Sequence, residues 1–340
     1  MTGTDANRGG GARGPVVVLA GGTGGAKLAR GMLDVVGAED LVVIANTCDD
    51  IEIYGSHVSP DPDLVSFWLA DLIDERGWGI EGDTFEVMDA LRRLGTNVWF
   101  NLGDRDLAWC LERKRMEAEG LRPTEALAHL NEAIGVRAGV LPMCDAPLRT
   151  LVRTESGWRD FQQFMVRDRA AGPVREVTFA TPAQARLIVA GEQPPPSPKP
   201  SHSAQPTPEA LEALAQARAV IVGPSNPVIS IWPILHVLGE ALARTPAAVV
   251  CVSPIVAGQV VKGPTAAFLA AYDQPASTAG VAAFYETVHP GLLDGIVSDE
   301  TRESLESDLP TLRLDTMMSD AESRAAVATE TLKFAVSLER

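Results

Sequence analysis

The sequence predicts an α/β protein: a Rossmann-like, mainly parallel sheet with a smaller, mostly helical insertion. Apolar runs at Val16–Ala20, 41–47, 219–223 and 247–254 do not alternate, so they read as strands buried on both faces, and helix-like stretches separate them. Polar or turn-forming clusters (GGTGG, CDD, PSNP) follow three of these runs. They fall at the carboxyl edge, where open α/β sheets bind ligands. With 340 residues, 46% of them hydrophobic, the chain can bury a sizeable core.

In order along the chain, Val16–Ala20 is the first strand, GGTGGAKLARG a glycine turn, and 27–36 a helix. LVVIANT (41–47) is the second strand, with Asp49 and Asp50 just after it. HVSPDPDLVSFWLADLI reads as a turn into a helix with Pro62 near its start, because its apolar residues recur at helical spacing. Residues 84–94, 105–118 and 123–134 are expected as helices, and the insertion spans about 105–175. TLVRT and REVTFA within 149–190 are strand-like. Residues 1–14, Gly-rich and polar, are expected as a disordered tail, and the Pro/Ser-rich stretch 191–210 as an exposed loop. Strand patterns resume at AVIVG and AAVVCVSP, and beyond residue 280 helix and short strand alternate. Residues 15–340 thus form one domain.

A formal net charge of −16 argues against a general binder of nucleic-acid backbones. Any anionic ligand must be held locally, by helix N-termini, a few basic side chains or a metal. Cys48, Cys110, Cys144 and Cys251 are scattered without CxxC pairing, which favours reduced thiols in a cytoplasmic protein. No apolar run approaches a membrane span, and the first residues lack the apolar segment of a signal peptide.

Four constellations carry candidate chemistry. The first is the turn Gly21, Gly22, Thr23, Gly24, Gly25, which presents backbone N–H groups and a helix N-terminus to an anion or lets helix and strand pack closely. Lys27 stands where GxGxxG needs glycine, and it lacks the preceding Gly and following Ser/Thr of a Walker A loop, so neither stock motif is complete. Asp49, Asp50, Asp61 and Asp63 form the second. Four carboxylates within fifteen residues suit a divalent cation such as Mg²⁺, although Asp61 and Asp63 also suit the first turn of a helix. The third is the stiff turn GPSNP, with Ser225 and Asn226 as short polar groups at the same sheet edge. In the fourth, LGDRD, Asp104 or Asp106 is a candidate helix N-cap. The histidines are dispersed, with His57 near the acids, and form no catalytic set.

Taken together, AGGTGGAKLARG, ANTCDDIEIYG, VSPDPDLVSFWLA, WGIEGDTFEVMDALRRLG, FNLGDRDLA, LPMCDAPLRT, FQQFMVRDRAAGPVREVTF, VGPSNPVISIWPIL, VSPIVAGQVVKGPTAAFL, LLDGIVSDE and DTMMSDAESR run in order over nearly the whole chain. On these motifs the sequence resembles the CofD/FbiA family of coenzyme F-420 biosynthesis. The resemblance implies Mg²⁺-dependent transfer of a phosphoenolpyruvyl or 2-phospho-L-lactyl group from a guanosine-diphospho donor. The acceptor would be the ribityl hydroxyl of FO (7,8-didemethyl-8-hydroxy-5-deazariboflavin), with release of GMP. Carried onto this chain, it places FO at Asp63 and Asn101, the metal at Asp49, Asp50 and Asp61, and the donor's phosphates and guanosine at Gly21–Gly25, Lys27, Ser225 and Asn226. Asp63 or Asp50 would orient the acceptor hydroxyl or take its proton, and a homodimer is implied. The chain departs from the family pattern at Asn101, where archaeal relatives tend to be basic, and at Tyr54, where many bacterial relatives have His. Two other classes compete. One is a non-catalytic nucleotide-sensing regulator of the same superfamily, against which SPDPD and LGDRD argue. The other is a nicotinamide-dependent oxidoreductase, against which Lys27 and the clustered aspartates argue.

Overall fold

The computed structural model describes residues 14–194, 204–260, 263–300 and 308–338. Apart from Gly14, the tail expected at 1–14 lies outside them, as do residues 195–203 of the Pro-rich loop.

β1 (Val16–Ala20) and β2 (Leu41–Ala45) pair in parallel, and a short antiparallel hairpin, β3 (Ile51–Ile53) with β4 (Ser56–Val58), follows β2. β5 (Gly139–Pro142) lies parallel to β2 as the edge strand. A second, antiparallel sheet of order β7-β6-β8 is made by β6 (Arg149–Thr154), β7 (Gly157–Asp160) and β8 (Glu176–Ala180). β9 (Ala219–Val222) pairs with the free side of β1, and β10 (Val249–Val252) pairs with β9. After the two-residue hairpin β11 (Ile255–Val256) and β12 (Gln259–Val260), β13 (Gly295–Ser298) and β14 (Thr311–Arg313) complete the main sheet. Its seven strands run β14-β13-β10-β9-β1-β2-β5 with every pairing parallel. From β1 the chain moves outward through β2 to β5, then returns to β9 and moves outward the other way. The order therefore reverses between β1 and β9, where an open α/β sheet leaves a ligand crevice.

The helices are α1 (Gly22–Val36), α2 (Pro60–Leu69), α3 (Glu86–Arg93), α4 (Asp104–Ala118), α5 (Pro123–Ala133) and α6 (Pro182–Val189). They continue with α7 (Pro208–Gln216), α8 (Trp232–Arg244), α9 (Thr265–Ala270), α10 (Thr278–Val288) and α11 (Ala321–Ser337). The non-alternating strands have the expected consequence. Val17, Leu19, Val220, Val222 and Cys251 pack under α7, α8 and α10. Val16, Val18, Ala20, Ile221 and Val250 pack under α1, α2 and α11. Each strand thus feeds two cores.

The stretch 105–175 is helical in its first half, α4 and α5, whereas its second half supplies β5 and most of the antiparallel sheet, including the strand-like TLVRT. The helix after β1 begins at Gly22 rather than at residue 27, so the glycines form its first turn. α3 and α4 cap one another. The Asp104 carboxylate accepts the Glu86 and Val87 N–H groups, both at 3.0 Å, and the Asp83 carboxylate accepts those of Arg105 (2.9 Å) and Asp106 (3.2 Å). Asp104 is therefore a cap, as expected, but for the neighbouring helix.

Candidate active site

The glycine run serves close packing and leaves donors over. Gly22 has φ +69, in the left-handed region that glycine enters without strain. A Cβ on Gly21 would lie 2.5 Å from Ser230 Cβ, one on Gly24 2.0 Å from the Pro224 carbonyl oxygen, and one on Gly25 2.6 Å from Ser225 Oγ. Only glycine lets the loop after β9 lie this close to the start of α1. Two N–H groups are consumed inside the protein: Gly21 donates to Ser225 Oγ (3.2 Å) and Gly22 to Asp61 Oδ1 (2.7 Å). The N–H groups of Thr23 and Gly24 have no acceptor among the described residues, so they remain as the helix's open anion-binding donors.

Asp61, the second residue of α2, also accepts the Asn46 Nδ2–H at 3.0 Å. Asp49, just past β2, accepts the Thr150 hydroxyl at 3.0 Å. Both carboxylates are buried and line one cavity of about 580 Å³ together with Gly21, Gly22, Thr23, Gly24 and Lys27. Burial pushes the Asp49 carboxyl well above the usual range, and the charge of Asp61 adds to this. Burial likewise pushes Asp61 up to about 6. Neither has a Lys, Arg or His partner among the described residues, an arrangement that favours a divalent cation in the cavity.

The structure separates Asp50 from this pair. Its side chain turns to a second cavity of about 260 Å³, lined also by His57, Glu117, Arg113 and Arg149. Ser59 donates its hydroxyl to Asp50 Oδ1 at 2.8 Å, and His57 bridges Asp50 Oδ2 (3.0 Å from Nε2) and Glu117 Oε1 (2.6 Å from Nδ1). Burial alone would lower the His57 pKa, but its hydrogen bonds to Asp50 and Glu117 outweigh burial and push it to about 9. Of the three acids expected to hold a metal, Asp49 and Asp61 therefore share one cavity and Asp50 lines another, because consecutive residues of the turn after β2 face different cavities.

Asp63 and Asn101, the expected acceptor contacts, both lie outside these two cavities. Asp63 is 3% exposed and paired with the buried Arg113, and it also accepts the Trp109 Nε1–H at 2.8 Å. Arg113 donates to the His57 carbonyl as well (3.0 Å), so this pair ties α4 to β4 and α2. Asn101 is exposed and accepts from Arg92 at 2.7 Å. Asp63, Asp106 and Cys110 do bring their ligand atoms within 4.8 Å of one another. Arg113 already supplies the positive charge there, and burial holds the Cys110 thiol well above its ordinary value, so a metal does not fit.

Ser225 and Asn226 line the cavity of Asp49 and Asp61, and their side chains also brace its wall. Asn226 Oδ1 accepts the Val228 N–H at 3.0 Å, and its Nδ2 donates to Thr265 Oγ1 at 3.2 Å. Lys27 donates to the Met318 carbonyl at 3.0 Å. The rim includes Trp78, Val166 and Met317, all exposed apolar side chains that the sequence did not flag. Ser253, Thr265 and Thr316 add to the polar lining. Their only sequence signal is that VSPIVAG, KGPTAAF and DTMMSD belong to the motif set.

Fold and cavity together define a doubly wound α/β protein with an acid-lined cavity at its switch point. The family model described as 2-phospho-L-lactate transferase CofD matches residues 16–332. The 2-phospho-L-lactate transferase of Methanosarcina mazei is 32% identical over 319 residues, covering 92% of this chain and 98% of its own. The phosphoenolpyruvate transferase of Kitasatospora aureofaciens is 37% identical over 338 residues, covering 94% and 97%. Among solved structures, a UPF0052 family member from Bacillus halodurans superposes with a TM-score of 0.58 at 15% identity, covering 94% of this chain and 99% of its own, a likeness of fold alone. The chain belongs to the 2-phospho-L-lactate transferase CofD family. No helix among the described residues is long and apolar enough to cross a membrane.

Proposed function

We propose that the protein transfers a phosphoenolpyruvyl or 2-phospho-L-lactyl group from a guanosine-diphospho donor to the ribityl hydroxyl of FO, releasing GMP in coenzyme F-420 biosynthesis. The observation that carries this is the buried pair Asp49 and Asp61 beside the N-terminus of α1, in the cavity where the strand order reverses. Asp49 and Asp61 would hold Mg²⁺, which when bound neutralises charge on the donor's diphosphate. The open N–H groups of Thr23 and Gly24 donate to phosphate oxygens, and the helix dipole favours the same charge. The apolar rim of Trp78, Val166 and Met317 offers flat contact area for the deazaflavin ring.

In the transfer, the ribityl oxygen forms a bond to the acid-bearing phosphorus. The bond from that phosphorus to the bridging oxygen breaks, its electron pair leaves with GMP, and the hydroxyl proton is lost. The chain contributes mainly positioning and electrostatics. Asp63 acts through Arg113, and Asp50 through His57 and Ser59, as positioning residues that hold α2 and α4 against the turn carrying Asp49. GMP appearing only when FO, donor and Mg²⁺ are all present supports this function. Donor binding without turnover favours the nucleotide-sensing regulator.

A further inference from the structure

We propose that Asn46 is a positioning residue of the cation site: its side-chain amide joins the turn that carries Asp49 to the helix that carries Asp61, and so sets the affinity of that pair for a divalent cation. Asn46 follows β2 directly and is fully buried. Its backbone N–H donates to the Ala20 carbonyl at 3.2 Å, which carries the β1–β2 pairing one residue past the end of the strand. The side chain therefore starts from the rigid edge of the sheet. Asn46 does not line the cavity, so it acts through the acids and not on the cation itself.

Three hydrogen bonds fix which way the amide faces. Oδ1 accepts the Cys48 N–H at 2.9 Å, a donor that only the oxygen can meet. Nδ2 donates to Asp61 Oδ2 at 3.0 Å and to the Ile229 carbonyl at 3.4 Å, and both of these are acceptors. A flipped amide would lose all three bonds, so the orientation follows from the partners. The bond to Cys48 shapes the turn in which Asp49 comes next, and the bond to Asp61 holds the first turn of α2. Thr150 and Gln162 bind Asp49 and Gly22 binds Asp61, but among the described residues none of these side chains or N–H groups joins the two segments. Each oxygen of Asp61 gives one lone pair to a protein donor, from Gly22 or from Asn46, and keeps a second for a cation. The inference rests on Asp49 and Asp61 holding Mg²⁺, and the test separates the two.

The experiment follows the Tm of the metal-free full chain as Mg²⁺ is added at about pH 7.5, for wild type, Asn46→Ser, Asn46→Ala and Thr207→Ala. Serine at position 46 keeps a side-chain bond to the N–H two residues on, but it is too short to reach Asp61. Thr207→Ala removes a buried cap of α7 and controls for general loss of stability. The Mg²⁺ concentration needed for a given rise in Tm should increase about tenfold or more in Asn46→Ser and Asn46→Ala. In Thr207→Ala it should stay within about twofold of wild type, although that variant also unfolds earlier. In GMP release, added Mg²⁺ should return Asn46→Ser to near the wild-type kcat, with the donor's KM at saturating Mg²⁺ unchanged. A Mg²⁺ requirement within about twofold of wild type in Asn46→Ser, or a lost kcat that added Mg²⁺ does not restore, assigns Asn46 to the turn alone. Either result overturns its role while the cation site stands, and so does failure of Asn46→Ser to fold. A wild type whose Tm ignores Mg²⁺ overturns the cation site, and the role of Asn46 with it. The expected shifts in Tm, in a wild type that releases no GMP, would keep Asn46 and the cation site and overturn the transfer reading.

Discussion

Asp61 Oδ1 accepts the Gly22 N–H at 2.7 Å, so the first donor of the glycine-rich helix is satisfied by a carboxylate and not by a ligand. The glycine turn and the acidic cluster, separate features in the sequence, are one structural unit. Asp61 reaches α1 from one side, and its charge stands beside that of Asp49 in the same cavity.

This unit makes stability depend on metal and pH together. A carboxylate whose folded pKa is raised destabilises the folded state once it ionises. Metal-free protein should therefore lose stability as pH rises from about 4, the unfolded value, through about 6. Mg²⁺ should raise Tm above pH 6 and do little at pH 5, where protons compete for the same oxygens. Asp49→Asn and Asp61→Asn should each abolish the Mg²⁺-dependent rise. A rise preserved in both variants would remove the cation from this site.

The glycines should rank by packing rather than by nearness to phosphate. Gly24→Ala places a Cβ 2.0 Å from a carbonyl oxygen and should cost ~3 kcal/mol or more, measured by urea unfolding. At Gly22 the added Cβ meets nothing within 4 Å, and the positive φ alone should cost Gly22→Ala ~1–2 kcal/mol. Equal costs would contradict the close approach of the loop after β9.

Asp63 and Arg113 should behave as a buried ion pair. Asp63→Asn strands a buried guanidinium and should cost ~3–5 kcal/mol. Replacing both residues, as Asp63→Leu with Arg113→Met, should recover most of that stability. A variant Asp63→Asn that folds as stably as wild type but has lost turnover would return Asp63 to direct contact with the acceptor.

His57 adds a pH dependence of opposite origin. Its pKa of about 9, raised from about 6.5 by Asp50 and Glu117, means its stabilisation is complete below pH 6.5 and is lost as pH rises through 9. The magnitude is on the order of 3 kcal/mol. Wild type should lose that much more stability than His57→Gln between pH 6.5 and 10. Parallel profiles would show that the two carboxylates do not hold a proton on the ring.

The sheet was legible because its strands are buried on both faces and so read as unbroken apolar runs: Val16–Ala20 needs no tertiary information to be placed. The acids after β2 were legible as a cluster, but their directions were not. Asp49 and Asp50 are neighbours in sequence and face different cavities because the turn rotates one away from the other. The partner of Asp63 lies fifty residues away on α4, and no local spacing signals that pairing. Asn46 was invisible for a related reason. In LVVIANT it reads as the end of a strand, so only the fold shows that its amide reaches Asp61 on α2.

The most direct measurement is GMP release from protein incubated with FO, the guanosine-diphospho donor and Mg²⁺, with Asp61→Asn alongside. GMP should form in step with the FO phosphodiester, require all three components, and slow at least about a hundredfold in Asp61→Asn. GMP release unchanged by Asp61→Asn, or product formation without GMP, would contradict a donor diphosphate held at Asp49 and Asp61.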